Sequence, residues 1–143
     1  IISNIKLFSS EAAKKEILIN FEPSQELNLY ADIDMFNTVL RNLISNALKF
    51  TNKGGEIKID YQILDKDILF RVADNGVGIP KENHDKLFTL YSTKSTKGTH
   101  DEKGTGLGLL LCSEFVKLNG GKIQVESEEG KGSVFSFTIP VQK

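Results

Sequence analysis

The sequence predicts an α+β fold, a two-layer α/β sandwich in which a mixed, mostly antiparallel sheet of about five strands is covered on one face by about three helices. Strand-like and helix-like apolar patterns are mixed without strict alternation, and two neighbouring strand patterns form a hairpin. No linker or repeat divides the 143 residues, and a chain of this length supports one hydrophobic core. Residues 1–143 are therefore predicted to be a single domain.

The first half of the chain predicts two helices that flank two short strands. Residues 2–15 form a leading helix, because apolar side chains recur on one side and lysines gather toward its end. Residues 17–21 are apolar enough for a strand, and residues 27–32 alternate as a half-buried strand does. Asp34 is the expected N-cap of a long helix that ends near Phe50.

The second half predicts a hairpin, two helices and two closing strands. Residues 56–64 and 67–73 alternate in hydrophobicity on either side of a two-residue turn, which indicates paired strands. Pro80 suits the first turn of a short helix that ends near Leu87. The last elements are a helix over 107–118, ended by Asn119-Gly120-Gly121, and strands over 122–126 and 133–140.

Composition excludes several classes of function. The 18 basic and 19 acidic residues nearly cancel, whereas a nucleic-acid-binding protein carries a strong basic excess. No run approaches the roughly 20 apolar residues of a membrane span, and no signal-peptide pattern opens the chain. Cys112 is the single cysteine and lies in an apolar helix, so we expect a buried, inert thiol and a cytoplasmic setting.

The long helix carries a polar group of residues beside its apolar stripe. Asn42, Asn46, Lys49 and Phe50 fall within about one quadrant of the helix, next to the positions that face the core. An amide oxygen suits Mg²⁺ and a lysine suits a phosphate, so these side chains could serve a metal-bound phosphate. An ordinary solvated helix flank explains the same pattern equally well when it is taken alone.

Asp74 stands at the end of a predicted strand and is followed by Asn75-Gly76-Val77-Gly78. A carboxylate there is a good acceptor for an exocyclic amine, because the glycines allow another group to approach closely. An ordinary turn after a strand is the alternative, since Asp-Asn-Gly is favoured turn chemistry.

Three alternating glycines, Gly104, Gly106 and Gly108, open the second long helix. Backbone amides at a helix N-terminus attract anions, so phosphate contact is favoured over simple capping. The preceding residues 92–103 contain no apolar side chain, and we expect them to be mobile without a ligand. Their lysines, Lys94, Lys97 and Lys103, either close over the same phosphates or belong to a solvated loop.

Five ordered motifs resemble those of sensor histidine kinases. The N box corresponds to Asn42 and Asn46, and the phenylalanine box to Phe88. The glycine boxes correspond to 74–78, 104–108 and 130–132. The likeness is to the catalytic ATP-binding domain and covers essentially the whole chain. It implies the Bergerat or GHKL fold, which gyrase-type ATPases share.

The resemblance also implies a role for each matching position. Asn46 coordinates Mg²⁺ that bridges the phosphates with support from Asn42, Lys49 contacts phosphate, and Asp74 accepts the adenine amino group. Residues 91–105 form a flexible ATP lid, where Tyr91 stands in for an aromatic residue usual after the phenylalanine box. The other positions expected to bind ATP are Phe50, Gly76, Gly78, Ile79, Phe88, Tyr91, Lys94, Lys97, Gly104, Thr105, Gly106, Leu107 and Gly108.

Three chemical functions are compatible with such a site. Gyrase-type, mismatch-repair and chaperone ATPases of this fold place a glutamate where this chain has Asn42, and an amide cannot act as a general base. Phosphoryl transfer to a histidine is therefore favoured over hydrolysis. A module that binds ATP without catalysis is the third possibility.

The resemblance implies partners that lie outside this sequence. The phosphoacceptor histidine is expected on a separate dimerisation domain upstream, because neither His84 nor His100 has the surroundings of an acceptor. Phosphate would then pass to an aspartate of a response-regulator receiver domain. The full protein is expected to be a homodimer, and this piece, which begins at Ile1, a monomer. An inner-membrane anchor elsewhere in the parent is left open.

Overall fold

In a computed structural model, the two segments of alternating hydrophobicity that begin at Glu56 and Asp67 form adjacent inner strands of a five-stranded sheet. The structure describes residues 1–89, 98–99 and 107–141. The strands are β1 (Leu18–Phe21), β2 (Glu56–Ile63), β3 (Asp67–Asp74), β4 (Ile123–Glu128) and β5 (Gly132–Pro140). The helices are α1 (Ile2–Leu7), α2 (Ser9–Lys14), α3 (Ile33–Phe50), a 3₁₀ helix (Lys81–Lys86) and α4 (Gly108–Leu118).

The sheet has the order β1-β2-β3-β5-β4. Only β1 and β2 pair in parallel, and the other three pairs are antiparallel. The predicted α+β class and the mixed, mostly antiparallel five-stranded sheet are therefore confirmed. The register pairs Asp74, at the end of β3, with Ser133 of β5. The predicted glycine turns at 74–78 and 130–132 therefore meet at the same end of these two strands.

The core lies between one face of the sheet and helix α3. Phe70 of β3 stacks on Phe137 of β5 with ring centroids 5.2 Å apart, and Phe36 of α3 meets Phe70 edge-on at 5.1 Å. The buried residues of α3 recur at helical spacing, as a stripe that faces a sheet requires. They are Phe36, Val39, Leu40, Leu43, Ile44, Ala47 and Leu48.

The prediction of a strand over 27–32 is wrong. Leu27, Leu29 and Ala31 pack against the core while the residues between them are exposed, so the alternation of burial is present. The segment nevertheless joins no ladder, and the five strands of the sheet do not include it. Alternation reports which side chains are buried, whereas a strand also needs a hydrogen-bonding neighbour, which the local sequence does not specify.

Two helix boundaries also differ from the predictions. The N-cap of α3 is Asp32 and not Asp34, because the Asp32 carboxylate accepts from the Met35 amide at 2.9 Å. The leading helix is broken at Phe8, where the Ser9 hydroxyl donates to the Lys6 carbonyl and competes with helical bonding. The hairpin, α4 and both closing strands lie within two residues of their predicted limits.

None of the helices in the described ranges is long and apolar enough to cross a membrane.

A left-handed residue ends the leading helical segment and allows a stability prediction. Glu16 has φ = 53°, and the amides of Glu16 and Ile17 donate back to Ala13 and Ala12 in a Schellman arrangement. Replacing Glu16 with glycine is expected to stabilise the fold by about 1 kcal/mol, because the left-handed conformation costs a residue with a Cβ roughly 1–2 kcal/mol and glycine's flexibility offsets part of the gain. Urea unfolding measures the change.

The control for this variant is Lys53→Ala. It removes the exposed ion pair at 3.5 Å between Lys53 and Glu16 without altering the turn. A change below about 0.5 kcal/mol is expected from that loss. A destabilised Glu16→Gly protein would contradict the assignment of strain to this position.

Candidate nucleotide-binding site

Helix α3 presents its predicted polar group at the edge of the core. Asn42, Asn46, Lys49 and Phe50 are all half-buried, in contrast to the fully buried stripe of the same helix. They therefore lie on the rim of the core stripe, as the helical spacing predicts. Amide and ammonium groups held on such a rim can reach a ligand while their stems pack against protein.

Asn42 is fixed by contacts on both sides. Its Nδ2 donates to the Thr38 carbonyl at 3.0 Å, and its side chain also hydrogen-bonds the Cys112 thiol. A Cβ on Gly108 would lie 3.0 Å from Asn42 Oδ1, so the start of α4 packs directly on this amide. Cys112 is fully buried, as predicted, and burial raises the pKa of its thiol to about 12.

Lys49 lies over an aromatic ring at the end of α3. Its Nζ is 5.0 Å from the centroid of the Phe50 ring, within the range of a cation–π contact. This contact holds the ammonium beside the Phe50 ring. The arrangement supplies one cation and one neutral oxygen ligand on adjacent turns, the combination expected for a metal-bound phosphate.

Asp74 ends β3 as a half-buried carboxylate. Its Oδ1 accepts from the Gly76 amide at 2.9 Å, and the Ser133 amide also donates to the carboxylate. Burial raises the pKa of Asp74, and these two amide bonds offset only part of the rise. A partly desolvated acceptor of this kind gains more from a new donor than one in water does.

The loop after Asp74 is tied to the end of α3. The Val77 amide donates to the Phe50 carbonyl at 3.0 Å. A Cβ on Gly76 would lie 2.2 Å from the same oxygen, so only glycine permits this approach. The Asp74 carboxylate, which is the predicted adenine anchor, therefore lies close to the end of α3, which carries Lys49. In the sequence, 24 positions separate Phe50 from Asp74.

The turn between β4 and β5 supports the other side of this loop. Gly78 has φ = 70°, and a Cβ there would lie 2.1 Å from the Glu128 carbonyl oxygen. Ser127 Oγ accepts from the Ile79 amide at 2.8 Å and is 2.9 Å from the Gly132 carbonyl, to which it can donate. It also lies 2.7 Å from Ser133 Oγ, and either hydroxyl can donate to the other. Two serines, Ser127 and Ser133, thus fix the loop, although no pattern in the sequence distinguishes them from other serines.

The remaining predicted positions have different placements. Phe88 packs on Phe135 of β5 with ring centroids 6.2 Å apart. Leu107 caps α4 and is about half exposed. The predictions for Tyr91, Lys94, Lys97, Lys103, Gly104, Thr105, Gly106 and His100 lie outside the described residues.

A large cavity among the described residues lies at the other end of α3. Its volume is about 790 Å³, and it is lined by 29–32, 118–120 and Pro140. Its polar side chains accept from backbone amides, because Asn119 Oδ1 accepts from the Asp32 amide at 2.8 Å and the Asp32 carboxylate accepts from the Met35 amide at 2.9 Å. None of the predicted site residues lines it, so volume alone does not identify the site.

A family model decides the classification. Residues 31–143 match the model described as histidine kinase-, DNA gyrase B- and HSP90-like ATPase. The chain belongs to this ATPase family. The match spans α3, the loop after Asp74 and the start of α4, and therefore all the elements that carry the site.

Relatives and solved structures place this ATPase domain in the histidine kinase branch, as predicted. The chain is 39% identical over 137 residues to the aerobic respiration control sensor protein ArcB of Escherichia coli, covering 93% of this chain and 18% of ArcB. It is 36% identical over 123 residues to the sensor histidine kinase WalK of Bacillus subtilis, covering 85% and 20%. The chain thus spans about a fifth of the length of these curated relatives.

The solved catalytic domain of histidine kinase ThkA has the same fold. Its TM-score is 0.84 at 34% identity, and the match covers 99% of this chain and 91% of that chain. Full-length ShkA in complex with AMPPNP matches at 0.80 and 29% identity, with 96% and 28% covered. The predicted histidine kinase ATP-binding fold is therefore confirmed.

Proposed function

We propose that this chain is the catalytic domain of a two-component sensor histidine kinase and transfers the γ-phosphoryl group of ATP to a histidine on a separate dimerisation domain. One observation carries the proposal. The half-buried Asp74 carboxylate and the rim of α3 with Asn46 and Lys49 are held side by side by the bond from the Val77 amide to the Phe50 carbonyl. Adenine and triphosphate can therefore be bound at one site.

The residues divide the binding of ATP between base and phosphates. Asp74 accepts a hydrogen bond from the exocyclic amine of adenine, and Lys49 donates to a phosphate oxygen. The amide oxygen of Asn46 fits a Mg²⁺ ligand, and the ion, when bound, neutralises phosphate charge. Gly108 leaves room beside Asn42 for the backbone at the start of α4 to face the phosphates.

The chemistry of position 42 supports transfer over hydrolysis. Asn42 is an amide that donates to the Thr38 carbonyl, and it cannot take a proton from water. An imidazole is already nucleophilic. Its nitrogen forms a bond to the γ-phosphorus as the bond from that phosphorus to the β–γ bridging oxygen breaks, and ADP leaves. The domain's task is then to position the phosphates and neutralise their charge.

The acceptor and the receiver are expected in other domains or proteins. His84 Nε2 hydrogen-bonds the Ile79 carbonyl at 2.9 Å within the site's own scaffold, which does not suit an exposed phosphoacceptor. ThkA has been solved in complex with response regulator protein TrrA, and a receiver aspartate of that class is the proposed final acceptor for this protein as well.

A mixing assay tests the proposal. The chain is incubated with ATP and a dimerisation domain that carries the acceptor histidine, and phosphohistidine is identified by its lability in acid and stability in base. Formation that needs both components is expected. Steady phosphate release without the acceptor domain would instead favour a hydrolase. ATP binding without either product would favour a binding module.

Replacing Asn46 with alanine is expected to weaken ATP binding in the presence of Mg²⁺ by about tenfold, the equivalent of one charge-assisted contact. Without Mg²⁺ the variant and the wild type should bind ATP alike. Calorimetric titration with and without the metal measures both. The exposed neighbour Ser45→Ala is the control for changes in helix propensity, and an Asn46→Ala protein with intact metal dependence would contradict the ligand role.

A further inference from the structure

We infer that Lys15, which lies outside the predicted motifs, is a positioning residue for the nucleotide site. Its side chain is 6% exposed, and its Nζ donates to the carbonyls of Leu48 and Lys49 at 2.7 and 3.2 Å. These carbonyls belong to the final turn of α3, which carries the Lys49 side chain. The inference rests on the proposed function of that turn in binding ATP phosphates.

The end of α3 is capped only in part by its own residues, since the Thr51 hydroxyl donates to the Ala47 carbonyl at 2.6 Å. The last carbonyls of a helix lack partners within the helix, and here the chain leaves in an extended conformation at Thr51, with φ = −94° and ψ = 133°. The four carbonyls that follow, those of residues 48–51, accept from other segments. The pairs are Leu48 with Lys15 Nζ, Lys49 with Lys15 Nζ and the Thr99 amide, Phe50 with the Val77 amide, and Thr51 with Thr99 Oγ1.

This helix end is therefore a junction of three segments. The Val77 amide comes from the loop that follows Asp74, at 3.0 Å from the Phe50 carbonyl. Thr99 comes from the segment before α4, and its amide is 2.9 Å from the Lys49 carbonyl oxygen that Lys15 also contacts. Lys15, Val77 and Thr99 therefore all donate hydrogen bonds to the last turn of α3.

Packing alone does not require a lysine at this position. A methionine of similar length would fill the same space without the cost of burying a charge. The ammonium instead offers several donors at the negative end of the α3 dipole, where a cation is favourable. Its charge therefore matches the carbonyls at this helix end.

The backbone around Lys15 holds its side chain in place. Lys15 is the C-cap of α2 and precedes the left-handed Glu16. Its own carbonyl accepts from the Gly54 amide at 3.0 Å, so backbone and side chain both contact the region that ends α3. Phe8, Ala12 and Lys15 follow one another at helical spacing, which places the lysine on the apolar side of the segment.

Removing the ammonium should allow the last turn of α3 to fray. The Leu48 carbonyl loses its Lys15 donor, and the population with Lys49 correctly placed decreases. Because apparent affinity scales with the population that can bind, Lys15→Met is expected to weaken Mg²⁺–ATP binding by about 5- to 20-fold. The amides of Thr99 and Val77, which donate to the same turn, should exchange their hydrogens faster.

Asn4→Ala is the matched control. Asn4 is 1% exposed and is bonded to Asn37 and Arg41, which precede Lys49 on α3 by more than two turns. Its loss should destabilise the fold but keep ATP affinity within about twofold, because distant sites act independently. Affinity is measured by calorimetry well below the unfolding temperature of each variant, and exchange by amide-resolved NMR.

Unchanged ATP affinity and unchanged exchange at Thr99 and Val77 in folded Lys15→Met would overturn the inference. An equal loss of affinity in Asn4→Ala would overturn it as well, because Lys15 would then be merely structural. If Lys15→Met does not fold, Lys15→Gln, which keeps two N–H donors without the charge, takes its place under the same criteria. A wild-type chain that binds no ATP contradicts the proposed function, whereas the exchange measurement still tests the role of Lys15.

Discussion

Replacing Asp74 with asparagine is expected to reduce ATP affinity by about 10- to 100-fold, the range of one charge-assisted hydrogen bond. The asparagine oxygen can keep the bond from the Gly76 amide that Asp74 Oδ1 accepts at 2.9 Å. The second carboxylate oxygen, however, becomes an amide that presents donors to the donor amine of adenine. Calorimetric titration with ATP measures the loss, and wild-type affinity in this variant would remove the proposed base anchor.

The same variant is expected to keep the fold. The pKa of Asp74 is raised above its ordinary value of 3.8, so ionising this carboxyl costs the folded state stability. That cost is absent at pH values below 3.8, grows as pH rises to the folded pKa, and is constant above it. Asp74→Asn should therefore gain stability relative to wild type as pH rises through this window. Asp67→Asn, at the start of the same strand, is the control and should leave ATP affinity unchanged.

Replacing Gly78 with alanine is expected to cost about 2–4 kcal/mol of stability and to impair ATP binding, because a left-handed residue and a backbone clash combine. Gly78 has φ = 70°, and the new Cβ would lie 2.1 Å from the Glu128 carbonyl oxygen. That oxygen belongs to β4 and cannot move as the end of a flexible side chain can. Urea unfolding measures the cost.

Gly130 provides a matched control for the clash. Its φ is 83°, but a Cβ there would meet nothing within 4 Å. Gly130→Ala should therefore cost about 1 kcal/mol, from conformation alone. Equal losses in the two variants would show that the contact with Glu128 is not rigid and would weaken the account of how the loop is held.

Much of the fold was predictable because its elements are locally encoded. The stripe on α3 and the alternation in β2 and β3 depend on residues a few positions apart, and both lie where the periodicity predicts. The segment 27–32 shows the limit of this reasoning. Its alternation of burial is present, but its ladder partner is not, and partners are decided by residues distant in sequence.

The site was predictable where a residue type is unusual for its position. Asn46 beside an apolar stripe and the glycines after Asp74 are such signals. Lys15 stands among the lysines at the end of the predicted leading helix, and its burial was not predicted because lysine is rarely buried, although its spacing from Ala12 places it on the apolar side. Ser127 and Ser133 gave no such signal, because their partners lie on the loop around Ile79 and are set by the β4–β5 register.

We propose that Asp74 and Asn46 hold one adenine nucleotide together with Mg²⁺. Calorimetric titration of this chain with ATP and with GTP, each with and without Mg²⁺, tests this binding mode. We expect ATP to bind in preference to GTP, whose ring presents a carbonyl where adenine has its amine, and Mg²⁺ to tighten ATP binding. Equal affinity for the two nucleotides, or ATP binding that is indifferent to Mg²⁺, would contradict it.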